Sequence, residues 1–298
     1  MTRKYLRRTK SDLFFDISTY FILGFILLVV AYPLYFVIIS SVSNPDAVAR
    51  GEVMFHPVGF TLDGFTAVLG NAQVVTGFRN SLLYTAVGTT INLIVTLPAA
   101  YALSRRDLRG RGVIMAFFLI PMYISGGLIP TFMVVRNLGF LNTMWAVTIP
   151  GALSIWNMLI AISFFRQTLP QEMLEAAKLD GATNMKYFLH IALPLSPAII
   201  AILVLWYGVG HWNGFFSALI YITERQLWPL QLVLRAILVQ MNIEFQHVYD
   251  MEMMERMRQI AQLMRYSLII VASAPVMIAY PFLQKHFVKG VMIGSIKG

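Results

Sequence analysis

The chain has 298 residues, of which 58% are hydrophobic and only 12% are charged. Because soluble globular domains carry roughly 25% charged residues, this composition indicates a membrane protein. The absence of cysteine excludes disulfides and cysteine-ligated metal sites. The net charge of +9 suggests either an acidic partner such as nucleic acid or an uneven distribution of charge across a membrane.

Six apolar stretches are each long enough to cross a membrane as a helix, which requires about 20 mostly apolar residues. None of the six contains Asp, Glu, Lys or Arg. They are predicted at 17–40, 81–103, 113–135, 143–165, 195–222 and 266–284. The sequence therefore predicts an all-α, polytopic membrane protein with six transmembrane helices in a single transmembrane domain over residues 1–298.

Basic residues precede the first stretch, and they bear on whether that stretch is retained. These residues are Arg3, Lys4, Arg7, Arg8 and Lys10. A cleaved signal peptide also begins with basic residues, but its apolar core is only about 7–15 residues long. Because the run at 17–40 is longer, we interpret it as an uncleaved first span, with a removed signal peptide as the alternative.

The orientation follows from the Lys and Arg residues of the short loops, which mark the cytoplasmic side. The N-terminal tail, the loop after the second span, the segment after the fourth span and the C-terminal tail are basic. The loop after the third span holds only Arg136. This alternation predicts that the N and C termini are both cytoplasmic. The cytoplasmic segments then carry the whole surplus of positive charge, and no nucleic-acid partner is needed.

Several kinds of chemistry lack their signatures. There is no Gly-x-x-x-x-Gly-Lys-Ser/Thr loop to bind ATP phosphates, and the five histidines are too scattered to predict a metal site. Ion-coupled carriers usually place an ionisable group within the membrane. Only His211 is a candidate, and we interpret it as an interfacial residue rather than a proton relay. Energy for active transport would then enter through a partner protein.

The segment after the fourth span, residues 170–194, has the most specific pattern. Residues 171–179 are good helix formers that follow Pro170, and Asp180-Gly181 predicts the end of that helix. A second helical run is predicted over 182–192, until Pro194 bends the chain into the fifth span. A short helix, a sharp turn and a second helix would suit a docking surface, although an ordinary cytoplasmic loop fits the same pattern.

This segment resembles the EAA signature of binding-protein-dependent ABC importer permeases, in which E-A-A-x-x-D-G-A is followed five residues later by F-x-x-I-x-L-P. The matching residues are Glu175, Ala176, Ala177, Asp180, Gly181, Ala182, Phe188, Ile191, Leu193 and Pro194. The six spans, the long first outer loop and the C-terminal tail resemble the carbohydrate-uptake, maltose-type branch. The resemblance is greatest to permeases for oligosaccharides or polysaccharide fragments, including alginate-type importers.

The resemblance implies a set of partners: a second homologous permease, two ATP-binding-cassette ATPase subunits, a solute-binding protein, a sugar substrate and the lipid membrane. ATP and magnesium would be bound by the ATPases, so this chain would hold no cofactor and would not be an enzyme. Residues 170–194 would couple ATPase movement to the spans, and Gly181 would allow the turn within them. The tail at 294–298 would reach between the ATPases, with an unstructured end as the alternative.

The candidates for contacts with a sugar are aromatic and amide side chains. They are Trp206, Tyr207, Trp212 and Asn213 in the fifth span and Tyr123 in the third. Trp and Tyr near the end of a span also anchor the headgroup interface, so that role remains open for each of them. Two other classes compete with the importer. The charge-free spans disfavour an ion-coupled carrier, and a membrane-embedded lipid transferase would need a polar catalytic constellation, which is not recognisable here.

Overall fold

The computed structural model describes residues 9–244 and 264–281. Helices dominate this part of the chain and no strand occurs in it, which confirms the all-α class. The basic tail before Thr9, the outer tract at 245–263 and the C-terminal tail after Pro281 lie outside the described residues. The helices are α1 Lys10–Ser41, α2 Pro45–Ala49, α3 Asp63–Gly70, α4 Ala72–Ser104, α5 Arg111–Tyr123, α6 Leu128–Asn137, α7 Trp145–Thr148, α8 Ile155–Thr168, α9 Gln171–Leu179, α10 Asn184–Tyr187, α11 Pro197–Trp212, α12 Phe216–Tyr221, α13 Leu230–Glu244 and α14 Met264–Pro281.

Three of these helices, α1, α4 and α14, are each long and apolar enough to cross a membrane. The regions predicted as the third, fourth and fifth spans are interrupted. Helices α5 and α6 meet at an angle of 115°. Helices α7 and α8 are separated by residues 149–154, and α11 and α12 by residues 213–215.

These interruptions coincide with residues that disfavour a helix. The sequence Gly126-Gly127 lies between α5 and α6, Pro150-Gly151 lies between α7 and α8, and Gly214 lies between α11 and α12. Glycine and proline are the poorest helix formers. A continuous run of apolar residues predicts that a segment lies in the membrane, but it does not predict where the helix breaks. The sequence therefore predicts three continuous helices that the structure divides.

The described chain forms two compact units, and the first comprises residues 9–70 together with 240–244 and 264–271. The capping box at Thr9, whose hydroxyl accepts from the Asp12 amide, begins α1. Most of α1 exposes large apolar side chains, as expected of a helix that faces lipid. Its C-terminal end is covered, where Ile39 packs with Ala47 and Val53.

The second unit comprises residues 71–239 and 272–281. Helix α4 is its centre and packs along both α8 and α11. The core between them contains Leu97, Met158, Phe165, Ile199 and Leu203. Burying these side chains positions the functional segments at the ends of the three helices.

The side chain of His211 in α11 lies directly against Gly88 of α4. A Cβ atom at this position would lie 2.5 Å from the Cε1 and Nε2 atoms of His211. Further along the same contact, Gly208 of α11 faces Thr89 of α4. The small residues allow the two helices to pack this closely, as is common between membrane helices.

Gly88→Ala is therefore expected to destabilise the protein by about 1–3 kcal/mol, because overpacking displaces the His211 ring. Thermal unfolding of the purified protein in lipid would measure this loss. Gly24→Ala in α1 is the matched control, since a Cβ atom there meets nothing within 4 Å. A helical Gly→Ala change without a clash is neutral or stabilising. Equal melting temperatures for the two variants would contradict the packing argument.

Candidate functional site

The segment between α8 and α11 begins with α9, which runs from Gln171 to Leu179 as the helix propensities predict. Gly181 ends it with a φ of +75°. The Gly181 N–H donates to Lys178 O at 3.0 Å, and the Ala182 N–H donates to Ala177 O at 2.9 Å. These two bonds form a Schellman motif, which satisfies the last carbonyls of the helix and requires a left-handed residue at position 181.

The second half of the segment begins later than the predicted residue 182. The Thr183 hydroxyl accepts from the Lys186 N–H at 3.2 Å and caps α10. The chain continues from Phe188 to Ala192 as one π-helical turn, in which the Leu193 N–H donates to Phe188 O. The helical run Asn184–Ala192 makes an angle of 86° with α11, and Pro194 lies in the break between them. We call residues 170–194 the coupling segment, after the role that the sequence predicts for it.

The coupling segment has a buried face and an exposed face. Ala177 and Phe188 are buried with Tyr101 and Phe165, and Ile191 and Ala182 are half-buried against the same core. The exposed residues of the signature are Glu175, Ala176, Asp180, Gly181 and Pro194. The signature thus divides into residues that hold the segment on the helices and residues that a partner can reach.

Large apolar side chains also lie on the exposed face, and no sequence pattern had singled them out. Leu179, at the end of α9, is 90% exposed. Met185, just beyond the turn, is 62% exposed. Exposed apolar groups clustered around a sharp turn are typical of a surface that a partner protein covers.

The loop between α4 and α5 fixes both halves of the coupling segment. The Lys178 Nζ atom of α9 lies 3.1 Å from Asp107 Oδ2. The Arg105 guanidinium donates from Nη1 to Asn184 Oδ1 of α10 at 2.7 Å and from Nε to Asp107 Oδ1 at 2.8 Å. Sequence reasoning used Arg105 and Asp107 only to orient the protein, and no local signal reveals their pairing with Lys178 and Asn184 more than 70 residues away.

The hydrogen bonds from Arg105 hold the pKa of the Asp107 carboxyl well below its usual range, and Lys178 lowers it further. A lowered folded-state pKa contributes stability above the unfolded value of roughly 4, and that stability is lost as the pH falls through the folded value. The carboxylate of Asp107 is therefore charged, and its contacts with Arg105 and Lys178 are intact, at neutral pH.

A network of hydrogen bonds joins α4, α11 and the break before α8 within their apolar stretches. Asn92 of α4 is fully buried, and its Nδ2 atom donates to Gly151 O at 2.7 Å and to Ala152 O at 2.9 Å. Its Oδ1 atom lies 2.7 Å from Nε2 of His211. Because the amide donates to two carbonyls, Oδ1 is the acceptor and the His211 proton is on Nε2. His211 is thus packed on α4 and linked to the break before α8.

The structure gives different environments to the predicted sugar-contact residues. Tyr207 is buried, its hydroxyl 2.8 Å from Thr96 Oγ1, and accepts from the Ser154 N–H. Trp212 is buried and donates to Ala272 O at 2.8 Å. Asn213 is exposed at the end of α11, and Tyr123 is 81% exposed at the end of α5.

Trp206 and Tyr207 line a cavity of 310 Å³, whereas Trp212, Asn213 and Tyr123 do not. The side chains that α4, α8 and α12 add to its wall include Tyr84, Asn157 and Ser217. Sequence reasoning missed Asn157, although a lone amide in the apolar stretch of the fourth span was a usable signal. Among the described residues that line this cavity none carries a charged side chain, and His211 supplies an imidazole.

Apolar helices that break within their apolar stretches, joined to an anchored segment with an exposed apolar tip, are typical of a subunit of a helical membrane transporter. The chain belongs to the family of binding-protein-dependent transport system inner membrane components, which matches residues 74–293. Members of this family are membrane subunits of ABC transporters, in which separate subunits hydrolyse ATP. The chain is accordingly an inner-membrane transport protein and not an enzyme.

Relatives align with almost the whole chain. Protein LplC of Bacillus subtilis is 36% identical over 98% of this chain and 98% of its own length. The polygalacturonan/rhamnogalacturonan transport system permease protein YtcP of the same species is 35% identical over 95% of this chain and 98% of its own length. A chain in the crystal structure of a bacterial ABC transporter that imports the acidic polysaccharide alginate superimposes with a TM-score of 0.83. It is 28% identical, with coverage of 95% of this chain and 99% of that chain.

Proposed function

We propose that this chain forms half of the translocation pathway of an ABC importer for oligosaccharides or polysaccharide fragments. It acts with a second homologous permease, two ATPase subunits that bind ATP and magnesium, and a solute-binding protein that delivers the sugar. Six spans place both termini in the cytoplasm. The family match and the relatives for pectin-type and alginate polysaccharides support this proposal.

The coupling segment carries the proposal on the structural side. Glu175, Ala176, Asp180 and Gly181 face outward beside the apolar tip at Leu179 and Met185. A cleft on the ATPase would accept this tip, while Ala177 and Phe188 hold the segment on α4 and α8. Movement of the ATPases then reaches α11 directly, because the segment continues into that helix. Of the remaining signature residues, Ala182, Ile191 and Pro194 shape the turn and the bend.

Gly181→Pro is expected to abolish coupling, because proline fixes φ near −65° where the turn requires +75°. It also removes the N–H that bonds to Lys178 O. The measurement is co-purification with the ATPase, followed by ATPase activity in lipid with a sugar-loaded binding protein. Glu175→Ala tests the exposed carboxylate in the same assay and is expected to weaken sugar stimulation.

Gly181→Asn is the matched control, since asparagine tolerates the left-handed conformation, and it should retain assembly and sugar-stimulated hydrolysis. If Gly181→Pro assembled and hydrolysed ATP like the unaltered protein, the coupling role of this segment would be rejected. The sugar panel should include oligogalacturonides, rhamnogalacturonan fragments, alginate oligomers, arabinooligosaccharides and lactose.

A further inference from the structure

A second cavity lies between the coupling segment, the loop that joins α4 to α5, and the end of α8. Its volume is 670 Å³, and its wall includes five basic and three acidic side chains, a surplus of two positive charges. The basic residues are Arg105, Arg106, Arg111, Arg166 and Lys178, and the acidic residues are Asp107, Glu172 and Glu175. A cavity of this charge indicates an anionic ligand.

Part of the positive charge is neutralised within the wall and part is not. The carboxylate of Asp107 is shared by Arg105 and Lys178, so it already serves two cations. The side chains of Arg106 and Arg111, by contrast, have no hydrogen bond or ion pair within the described part of the chain. These two guanidinium groups are therefore available to a ligand.

Arg166, which directly follows the predicted fourth span, belongs to the same unbalanced group. Its Nη2 atom donates to Leu103 O over a long 3.4 Å. Desolvation lowers the pKa of Arg166, and repulsion from Arg111 and Arg106 lowers it further, with no carboxylate of the described residues to offset that repulsion. Like charges held together are unfavourable unless an anion lies among them. Three guanidinium groups thus lie near one another without a counter-ion from the described chain.

Tyr187 supplies an independent indication of a ligand. It is only 2% exposed and lines the cavity from the coupling segment, and its buried hydroxyl has no hydrogen-bond partner among the described residues. A buried polar group without a partner is costly. Burial raises the pKa of the Tyr187 phenol, so the hydroxyl keeps its proton and can donate. An anion in the cavity would accept that hydrogen bond.

The wall also indicates which anion it takes. Arginine binds phosphate through two parallel N–H bonds, and a phenol adds a further donor. A volume of 670 Å³ lies within the range of small-molecule sites, so it suits a phosphate carried by an organic group. Arg111 and Arg166 lie at the borders of the predicted third and fourth spans, at the level of lipid headgroups. Basic pockets at this level on the cytoplasmic side bind anionic lipid headgroups.

We propose that this cavity binds a phosphate group between Arg106, Arg111, Arg166 and Tyr187. The phosphate belongs to the headgroup of an anionic phospholipid or to a soluble phosphate ester, and the position at the membrane border favours the lipid. The inference goes beyond the proposed function, from which it takes only the cytoplasmic orientation. Because the coupling segment and the α4–α5 loop both contribute to the wall, a bound phosphate would join them and stabilise the anchor of the segment.

Lipid binding to the full chain in a neutral detergent tests the site. The probes are phosphatidylglycerol and, as the uncharged reference, phosphatidylcholine, and native mass spectrometry would measure the affinity for each. Arg111→Gln should lower the affinity for phosphatidylglycerol by about tenfold, because it removes a charged donor that packs on no partner in the described chain. Arg109→Gln is the matched control. It removes the same charge from the same loop but does not line the cavity, so its effect should stay below about twofold.

Tyr187→Phe separates binding from folding. It should lower the affinity for phosphatidylglycerol by roughly threefold through loss of one hydrogen bond. Its melting temperature in detergent without phosphatidylglycerol should be no lower than that of the unaltered protein, because phenylalanine removes a buried hydroxyl that lacks a partner. A purely structural tyrosine would instead lower the melting temperature and leave the affinity unchanged.

A second arm replaces the lipid with inorganic phosphate and glycerol phosphate. Binding of these soluble probes, weakened by Arg111→Gln and not by Arg109→Gln, would support the site and assign it to a soluble phosphate ester. Binding of phosphatidylglycerol alone, with the same response to the variants, would assign it to the lipid.

Two results would overturn the inference. Equal losses for Arg109→Gln and Arg111→Gln would mean that phosphatidylglycerol senses only the overall surface charge. If no phosphate probe binds and Arg111→Gln instead weakens the affinity for the ATPase, the cavity receives a carboxylate of that protein. The binding assays contain neither ATPase nor sugar, so failure of the phosphate site would leave the importer role standing, and failure of the importer role would leave the phosphate site standing.

Discussion

Asn92→Leu is expected to destabilise the protein by about 3 kcal/mol, the cost of leaving several buried polar groups without partners. Asn92 is fully buried, and its amide is the donor for the carbonyls of both Gly151 and Ala152. Leucine fills a similar volume but cannot donate. The two carbonyls would then face an apolar environment, and His211 would lose its acceptor.

Thermal unfolding of the purified protein in lipid would measure this effect, with sugar uptake as a second readout. Thr90→Val is the matched control, because Thr90 is an exposed polar residue of the same helix whose hydroxyl bonds only to Ala86 O. It should change the melting temperature little. A melting temperature for Asn92→Leu as high as that of the control would mean that Asn92 does not hold the break before α8.

Leu179→Asp should weaken binding of the ATPase by roughly a hundredfold without unfolding the permease. Leu179 is 90% exposed, so the substitution removes little packing within the chain. Burying a leucine side chain in a partner contributes about 1.5–3 kcal/mol, and a charge in its place adds a desolvation cost. The measurement is the affinity between the purified permease pair and the ATPase.

Leu179→Met is the conservative control for this prediction, since methionine keeps an apolar side chain of similar size. Its affinity should fall by less than about threefold, which corresponds to less than 1 kcal/mol. The melting temperature of the Leu179→Asp permease alone should equal that of the unaltered protein. Unchanged affinity for the ATPase would remove Leu179 from the docking surface.

The sequence analysis succeeded where the signal is local. The bounds of α9 follow from its helix formers, from Pro170 and from the Asp180-Gly181 turn, and the structure has the same bounds. The all-α class follows from long apolar runs that lack charge. In both cases a few neighbouring residues determine the backbone, so no knowledge of distant contacts is required.

The interrupted spans and the polar network lay beyond such reasoning. Hydropathy reports only the average composition of a stretch. A break in a membrane helix is stable only when the backbone carbonyls that it leaves without helical partners accept hydrogen bonds from donors elsewhere. For Gly151 and Ala152 that donor is Asn92, about 60 residues away. The same holds for Arg105 and Asn184, which are 79 residues apart in the chain. Residue spacing alone does not predict either pairing.

The close approach of Gly88 to His211 also constrains how the permease can move. Because a single added carbon at Gly88 would clash with His211, α4 cannot rotate against α11 at this contact without displacing the His211 ring. Asn92 ties the backbone before α8 to the same place. We therefore expect the three helices to move as one rigid body, so that, under the proposed function, a push on the coupling segment at one end displaces the wall of the 310 Å³ cavity at the other.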